Sequence, residues 1–209
     1  MIHDVDESIR ALIRREVDDH GEVDVVFDAP TKEWAARRNT PTIDVYLYDV
    51  REDMRRRQLG IVDLPNDQGH TVSRRQPPRF FKLSYLLTAW TQRPEDEHRL
   101  LSGLLSCFLR HDALPVDVQV GALAENDLPL PITFAIPPPE DRALSDVWSA
   151  LGGELKPSLD LVVVVPWDLD RTEPTAPPVT EPARVDMAEP MAGGVRRQHA
   201  GLPGDVQVS

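Results

Sequence analysis

Apolar side chains recur at helical spacing over 4–17, where Val5, Ile9, Leu12, Ile13 and Val17 share one face and Arg10, Arg14, Arg15 and Glu16 fill the other. This predicts an amphipathic helix, with Asp4 or Asp6 able to cap its start and Gly21 just past its end. The short β-branched run 23–27, bounded by Gly21 and Pro30, reads as a strand. The period changes to two after Pro41, with Ile43, Val45 and Leu47 on one side and aspartates and tyrosines on the other, which predicts a strand over 42–50. A second long strand fits 79–90, where Phe81, Leu83, Tyr85 and Leu87 share a face. The strongest helical pattern follows Pro94, with Leu100, Leu101, Leu104, Leu105, Phe108 and Leu109 forming a broad stripe behind an acidic first turn. A short apolar stretch at 132–136, a helix over 140–151 closed by Gly152 and Gly153, and a valine-rich strand over 158–165 complete the pattern. Four consecutive valines suit a strand buried on both faces. These elements predict an α/β fold, a mixed sheet flanked by about three helices, with no internal repeat.

Two segments depart from this regularity. The stretch 51–78 is too long for an ordinary connection. Its centre, Leu64-Pro65-Asn66-Asp67-Gln68-Gly69, signals a turn, so flanks at 58–62 and 70–74 are expected to pair as a projecting hairpin arm. From 167 to 209 periodicity disappears, six prolines accumulate, and the apolar residues are isolated. Such a segment buries too little surface to offset the entropy of ordering, and it is expected to be a disordered tail behind a single domain spanning 1–166.

Composition narrows the class. The chain has 209 residues, 35 acids against 23 Lys and Arg, and one cysteine. A disulfide framework within one chain and a zinc site built on several thiolates are excluded. A net charge of −12 disfavours bulk nucleic-acid binding. No run reaches the roughly 20 apolar residues that cross a bilayer, and 1–20 lacks the basic and apolar blocks of a secretory signal. A cytoplasmic protein without membrane insertion is expected. The positive charge gathers on the arm, which holds Arg51, Arg55, Arg56, Arg57, Arg74 and Arg75. The arm is either a solvated loop or a contact element that reaches an acidic surface. Trp34, placed in a loop beside Arg37 and Arg38, is either a second anchor or a core side chain.

Catalytic patterns are missing. Cys107 lies late in the second helix, where the dipole raises a thiol pKa, and is expected to be a packed side chain. Glu95-Asp96-Glu97-His98 contains one Glu-x-x-His without the second copy that di-iron bundles need. The six histidines show no metal-site spacing, and no phosphate loop or nucleophile elbow is present. The expectation is no enzyme, no cofactor and no metal.

Three blocks nevertheless form a recognisable series: 39–52 (NTPTIDVYLYDVRE), 77–90 (PPRFFKLSYLLTAW) followed by 95–101 (EDEHRLL), and 146–151 (DVWSAL) with 155–159 (LKPSL). In this order they resemble the N-terminal domain of tail-cap or tail-terminator proteins of phage-tail-like contractile injection systems. The resemblance covers 2–168. It implies a fold similar to phage tail terminators and a structural role. The expected role is a homo-hexameric ring at the baseplate-distal end, which ends the inner tube and meets the last sheath layer. The expected partners are further copies of the chain and the inner-tube and sheath proteins. The particle would be cytoplasmic or released by lysis. Arg55, Arg56, Arg57, Arg74, Arg75 and Trp34 are the candidate interface residues. The alternative is an adaptor that recruits a partner through its tail.

Overall fold

The computed structural model describes residues 1–18, 21–67, 69–125, 129–136, 144–153, 155–168 and 172–175, and the backbone of 186–191 and 194–199. The chain divides into two compact units. One comprises Met1–Ile61 with Gln76–Arg171, the other Val62–Arg75 with Thr172–Ser209.

The first unit is built on a five-stranded sheet. In chain order it contains α1 (Ile2–Glu16), β1 (Asp24–Val26), α2 (Lys32–Ala35), β2 (Thr42–Glu52), and then β5 (Arg79–Trp90), since β3 (Val62–Pro65) and β4 (Thr71–Arg75) belong to the second unit. It continues with α3 (Pro94–Phe108), two 3₁₀ turns at Val116–Val118 and Gly121–Leu123, β6 (Ile132–Phe134), α4 (Leu144–Leu151) and β7 (Ser158–Trp167). The strand order is β1-β2-β5-β7-β6, with β1 parallel to β2 and every other pair antiparallel. The mixed α/β sheet that the sequence predicts is therefore present. The expected helix start at 140–143 lies outside the described residues.

One sheet face carries the main core. Ile43 and Val45 of β2, Leu83, Tyr85 and Leu87 of β5, and Leu161, Val163 and Val165 of β7 are buried there with Val5, Ile9, Leu12 and Ile13 of α1 and Leu104, Cys107 and Phe108 of α3. Alternation would carry the even-numbered residues of β2 to the opposite face throughout, but the register shifts between Leu47 and Asp49. One extra residue, Tyr48, is accommodated, and Val50 consequently stands opposite Leu83 instead of across the sheet from it. Tyr48 donates its hydroxyl to Asp160 Oδ1 at 2.6 Å.

The helices are secured by polar contacts at their ends. Glu16 at the end of α1 accepts from Arg15 (2.9 Å) and Arg110 (2.7 Å) and lies 3.0 Å from His111 Nε2, which joins α1 to the chain just past α3. Burial opposes its charge, but Arg15, His111 and Arg110 outweigh burial and hold the carboxyl down at about 2. At the other end of α1, Gly121 adopts φ +57 and comes so near Asp4 that a Cβ would sit 2.6 Å from a carboxylate oxygen. The positive φ favours glycine there, and an added Cβ would also have to displace the Asp4 carboxylate.

The second unit corrects the bounds expected for the hairpin. The hairpin pairs β3 with β4, so its strands begin and end later than the expected flanks at 58–62 and 70–74; the turn at Asn66 and Gly69 is where the sequence puts it. Within the segment after 166, β8 (Thr172–Pro174) pairs with β4 as a third strand, and β9 (Asp186–Met191) pairs with β10 (Gly194–His199). The signal missed is non-local. Three residues show no period, yet Ser73, Arg74 and Arg75 supply a ready edge for Pro174, Glu173 and Thr172. Thr175 extends the contact through its backbone N–H to Val72 O and its hydroxyl to Thr71 O. β7 likewise runs past Pro166, and Trp167 packs edge-on against Phe81 with ring centroids 5.9 Å apart.

Candidate assembly interface

The arginine-rich segment does not behave as one arm. Arg55, Arg56 and Arg57 belong to the first unit, in the turn that follows β2, whereas Arg74 and Arg75 lie on β4 in the second. The turn is organised by Asp53, which is buried and accepts from the Arg55 backbone N–H, while its own N–H donates to Phe80 O. The chain is thereby folded back over the start of β5. Arg55, Arg56, Arg57, Gln58, Phe80 and Pro129 enclose a groove of about 410 Å³. The Arg56 guanidinium lies 5.1 Å from the Phe80 ring centroid, a cation–π arrangement, and Arg57 is 3.6 Å from Glu52. No ion pair of the Arg55 side chain occurs among the described residues. Met54 and Leu59, 62% and 89% exposed, flank the groove in sequence. The turn offers both fixed positive charge and apolar surface, a composition suited to a protein contact rather than to a small anion.

On the second unit, strand alternation separates the two remaining arginines. Asp63, Arg74 and Glu173 face one another across three strands, and Arg74 Nε donates to Asp63 Oδ1 at 2.8 Å. Arg74 is therefore engaged in a local charge row. Arg75 shares the other face with Val62, Leu64 and Pro174, which makes that face the more apolar one.

Trp34 is on the short helix α2, not in a loop. It packs edge-on against Trp90 at 5.3 Å, its indole N–H donates to Asp28 Oδ2 at 2.8 Å, and Arg38 lies 4.4 Å over its ring while also donating to Asp28. Trp90 is itself 6.5 Å from Trp148, accepts the Lys156 ammonium over its ring at 4.4 Å, and donates to Thr88 Oγ1. Lys156 also pairs with Glu97 at the start of α3. Two clefts flank this cluster, about 490 and 380 Å³, and Trp90 and Ala35 line both. Because Phe80 and Trp90 sit ten residues apart on β5, about 33 Å in extended chain, the Trp34 cluster and the Arg55–57 groove are separate surfaces. Sequence reading missed Phe80 and Pro129 because nothing local marks them as walls of a groove.

Among the described residues there is no group of three or more His, Cys, Asp or Glu placed to hold a metal ion. Cys107 is fully buried, and burial first, then Glu16, pushes its thiol up to about 12.

A family model, the Pvc16 N-terminal domain, matches residues 4–181. The chain belongs to the Pvc16 N-terminal domain family. The match extends past β8, so the third strand of the second unit lies within the domain. Solved structures agree in fold. The Pvc16-type domain described here is similar to the sheath/tube terminator of the extracellular contractile injection system PVC in its extended state, with 21% identity and a TM-score of 0.66, over 92% of this chain and 65% of that one. It is similar also to the tube-terminating cap of the anti-feeding prophage AFP, with 23% identity and a TM-score of 0.60, over 90% of this chain and 62% of that one. The chain thus spans less than two thirds of the length of either protein. A comparison with curated protein sequences gave no match.

Proposed function

We propose that this domain is a structural cap at the baseplate-distal end of a contractile injection particle, where it ends the inner tube and contacts the last sheath layer. The observation that carries the reading is the shared fold over nine tenths of the chain with a sheath/tube terminator and a tube-terminating cap. The role is assembly, not catalysis, and the arrangement we favour is a homo-hexameric ring. A cap needs one face that fits the repeating subunit and another that stops propagation; closed cyclic symmetry supplies the ring, and heterologous contacts supply its edges. The Arg55–Arg57 groove, with its exposed methionine and leucine, is the element of the first unit best fitted to grip an acidic surface of a neighbour. Arg75 and the apolar side of β3 and β4 serve the same purpose on the second unit.

The test is particle morphology. Deleting the gene should give tubes and sheaths of uncontrolled length under negative-stain electron microscopy. Particles of normal, narrowly distributed length would overturn the cap assignment.

A further inference from the structure

Asp44 stands on β2 with no exposed surface, and neither carboxylate oxygen has a hydrogen-bond partner among the described residues. The backbone N–H groups of Asp28 and Val45 face it outside hydrogen-bonding geometry. The charged groups acting on it come from the β1–β2 crossover. Asp28 repels it, and Arg38 attracts it while donating to Asp28 instead. Arg38 keeps its Nε buried without an acceptor, and so does Trp148 Nε1 of α4. Thr88, opposite Asp44 on β5, is fully buried and its hydroxyl accepts from Trp90. Beyond Trp90, Lys156 and Glu97 neutralise one another. A buried carboxylate so placed is tolerated as the neutral acid and costly as the anion.

The crossover that covers this site is also the wall of the two clefts. Arg38, Asn39 and Thr40 line the larger, Pro30, Thr31 and Lys32 the smaller, and Ala35 lines both. Trp34 and Arg38 both donate to Asp28 within the crossover, and the Trp34–Trp90 edge contact ties it to β5. We propose that the crossover 28–38 is a proton-gated flap, docked on the sheet while Asp44 is protonated and released, with Trp34, when Asp44 ionises. Release gives both oxygens water and removes Asp28 from an anion it cannot neutralise. It also uncovers the Trp90 face and joins the two clefts, which share Ala35 and Trp90 as walls.

The pH window follows from the two states. Burial, reinforced by Asp28, raises the docked carboxyl to about 8, while a hydrated aspartate titrates near the ordinary 3.8. Between those values the docked form keeps a proton that the open form has lost. The opening constant therefore rises about tenfold per pH unit from about pH 4 to about pH 8 and levels off above.

The experiment is ¹⁹F NMR of the full chain labelled with 5-fluorotryptophan, with resonances assigned by single Trp→Phe variants, over pH 5 to 9.5. The Trp34 and Trp148 resonances should titrate together with a midpoint no higher than about 8, while Trp167 stays fixed. Asp44→Asn, which mimics the neutral acid, should abolish the titration. Trp34→Phe, which weakens the contact with Trp90 on the sheet, should keep the Trp148 titration and lower its midpoint or enlarge its amplitude. A Trp34 resonance that is invariant with pH, or one that titrates unchanged in Asp44→Asn, overturns the proposal. Should Asp44→Asn fail to fold, a Trp148 titration left unchanged in Trp34→Phe does so.

Discussion

Three carboxylates set how this molecule responds to acid and base, and they act in opposite directions. Glu16 has a folded value of about 2 below its ordinary 4.5. Its contribution to stability is present above pH 4.5 and is lost as pH falls from there towards 2. Its partners are partly exposed, which screens the interaction, so Glu16→Gln should lower unfolding free energy by about 1–3 kcal/mol at pH 7 in urea titrations and by almost nothing near pH 2. Asp44 has the opposite sign. The folded state holds the extra proton between about pH 4 and 8, so wild-type stability falls with rising pH, at about 1.4 kcal/mol per unit until opening of the flap limits the loss. Asp44→Asn should flatten that fall in the same urea series. Asp6 is half-buried and accepts from the Tyr85 hydroxyl at 2.8 Å; burial raises its pKa and Tyr85 opposes the rise. Tyr85→Phe leaves the ring in the core but strands the carboxyl, and should cost about 1–3 kcal/mol by thermal or chemical unfolding. Cys107 was legible in the sequence as a core residue because its stripe is unambiguous. Asp44 was not: alternating with Ile43 and Val45, it reads as a solvent-facing residue unless one knows that α4 and the crossover cover that face.

The long elements were predictable because each carries its own period over ten residues or more. β5 and α3 follow the expected limits closely, and β2 begins where Pro41 ends the preceding loop. What escaped was set by partners distant in the chain. The bulge at Tyr48 has no local signature; its effect is to return Val50 to the side of Leu83. β8 exists because β4 offers an edge, and α2 is a single turn capped by Thr31 Oγ1 accepting from the Trp34 N–H. The division of the arginines has a direct test. Arg55→Glu, Arg56→Glu and Arg57→Glu combined should leave the circular dichroism spectrum unchanged and lower stability by about 1–2 kcal/mol, through loss of the Arg56–Phe80 contact and the Arg57–Glu52 attraction, yet abolish incorporation into particles scored by co-sedimentation. Arg74→Ala, which removes an exposed cross-strand pair, should change stability by no more than about 1 kcal/mol and leave incorporation unaffected.

For the whole molecule, fold and family were readable from three ordered blocks, whereas the division of the arginines between two units was not. The six arginines of 51–78 are neighbours in sequence but divide between two compact units, and no pattern of charges along a chain reports that division. The net charge of −12 still matters for assembly, because like-charged copies repel and the cationic groove must work against that field. If the groove grips an acidic neighbour, assembly measured by light scattering should be weakened by salt, and losses should be steepest where the Debye length falls from about 10 Å to about 3 Å. The single cysteine has a practical consequence. A thiol buried beneath α1 and pushed up to about 12 is silent to maleimides and disulfide reagents while the protein is folded. A cysteine introduced at position 56 or 75 would then be the sole reactive handle on the native surface, so cross-linkers and fluorophores would map each candidate contact without first removing the natural residue.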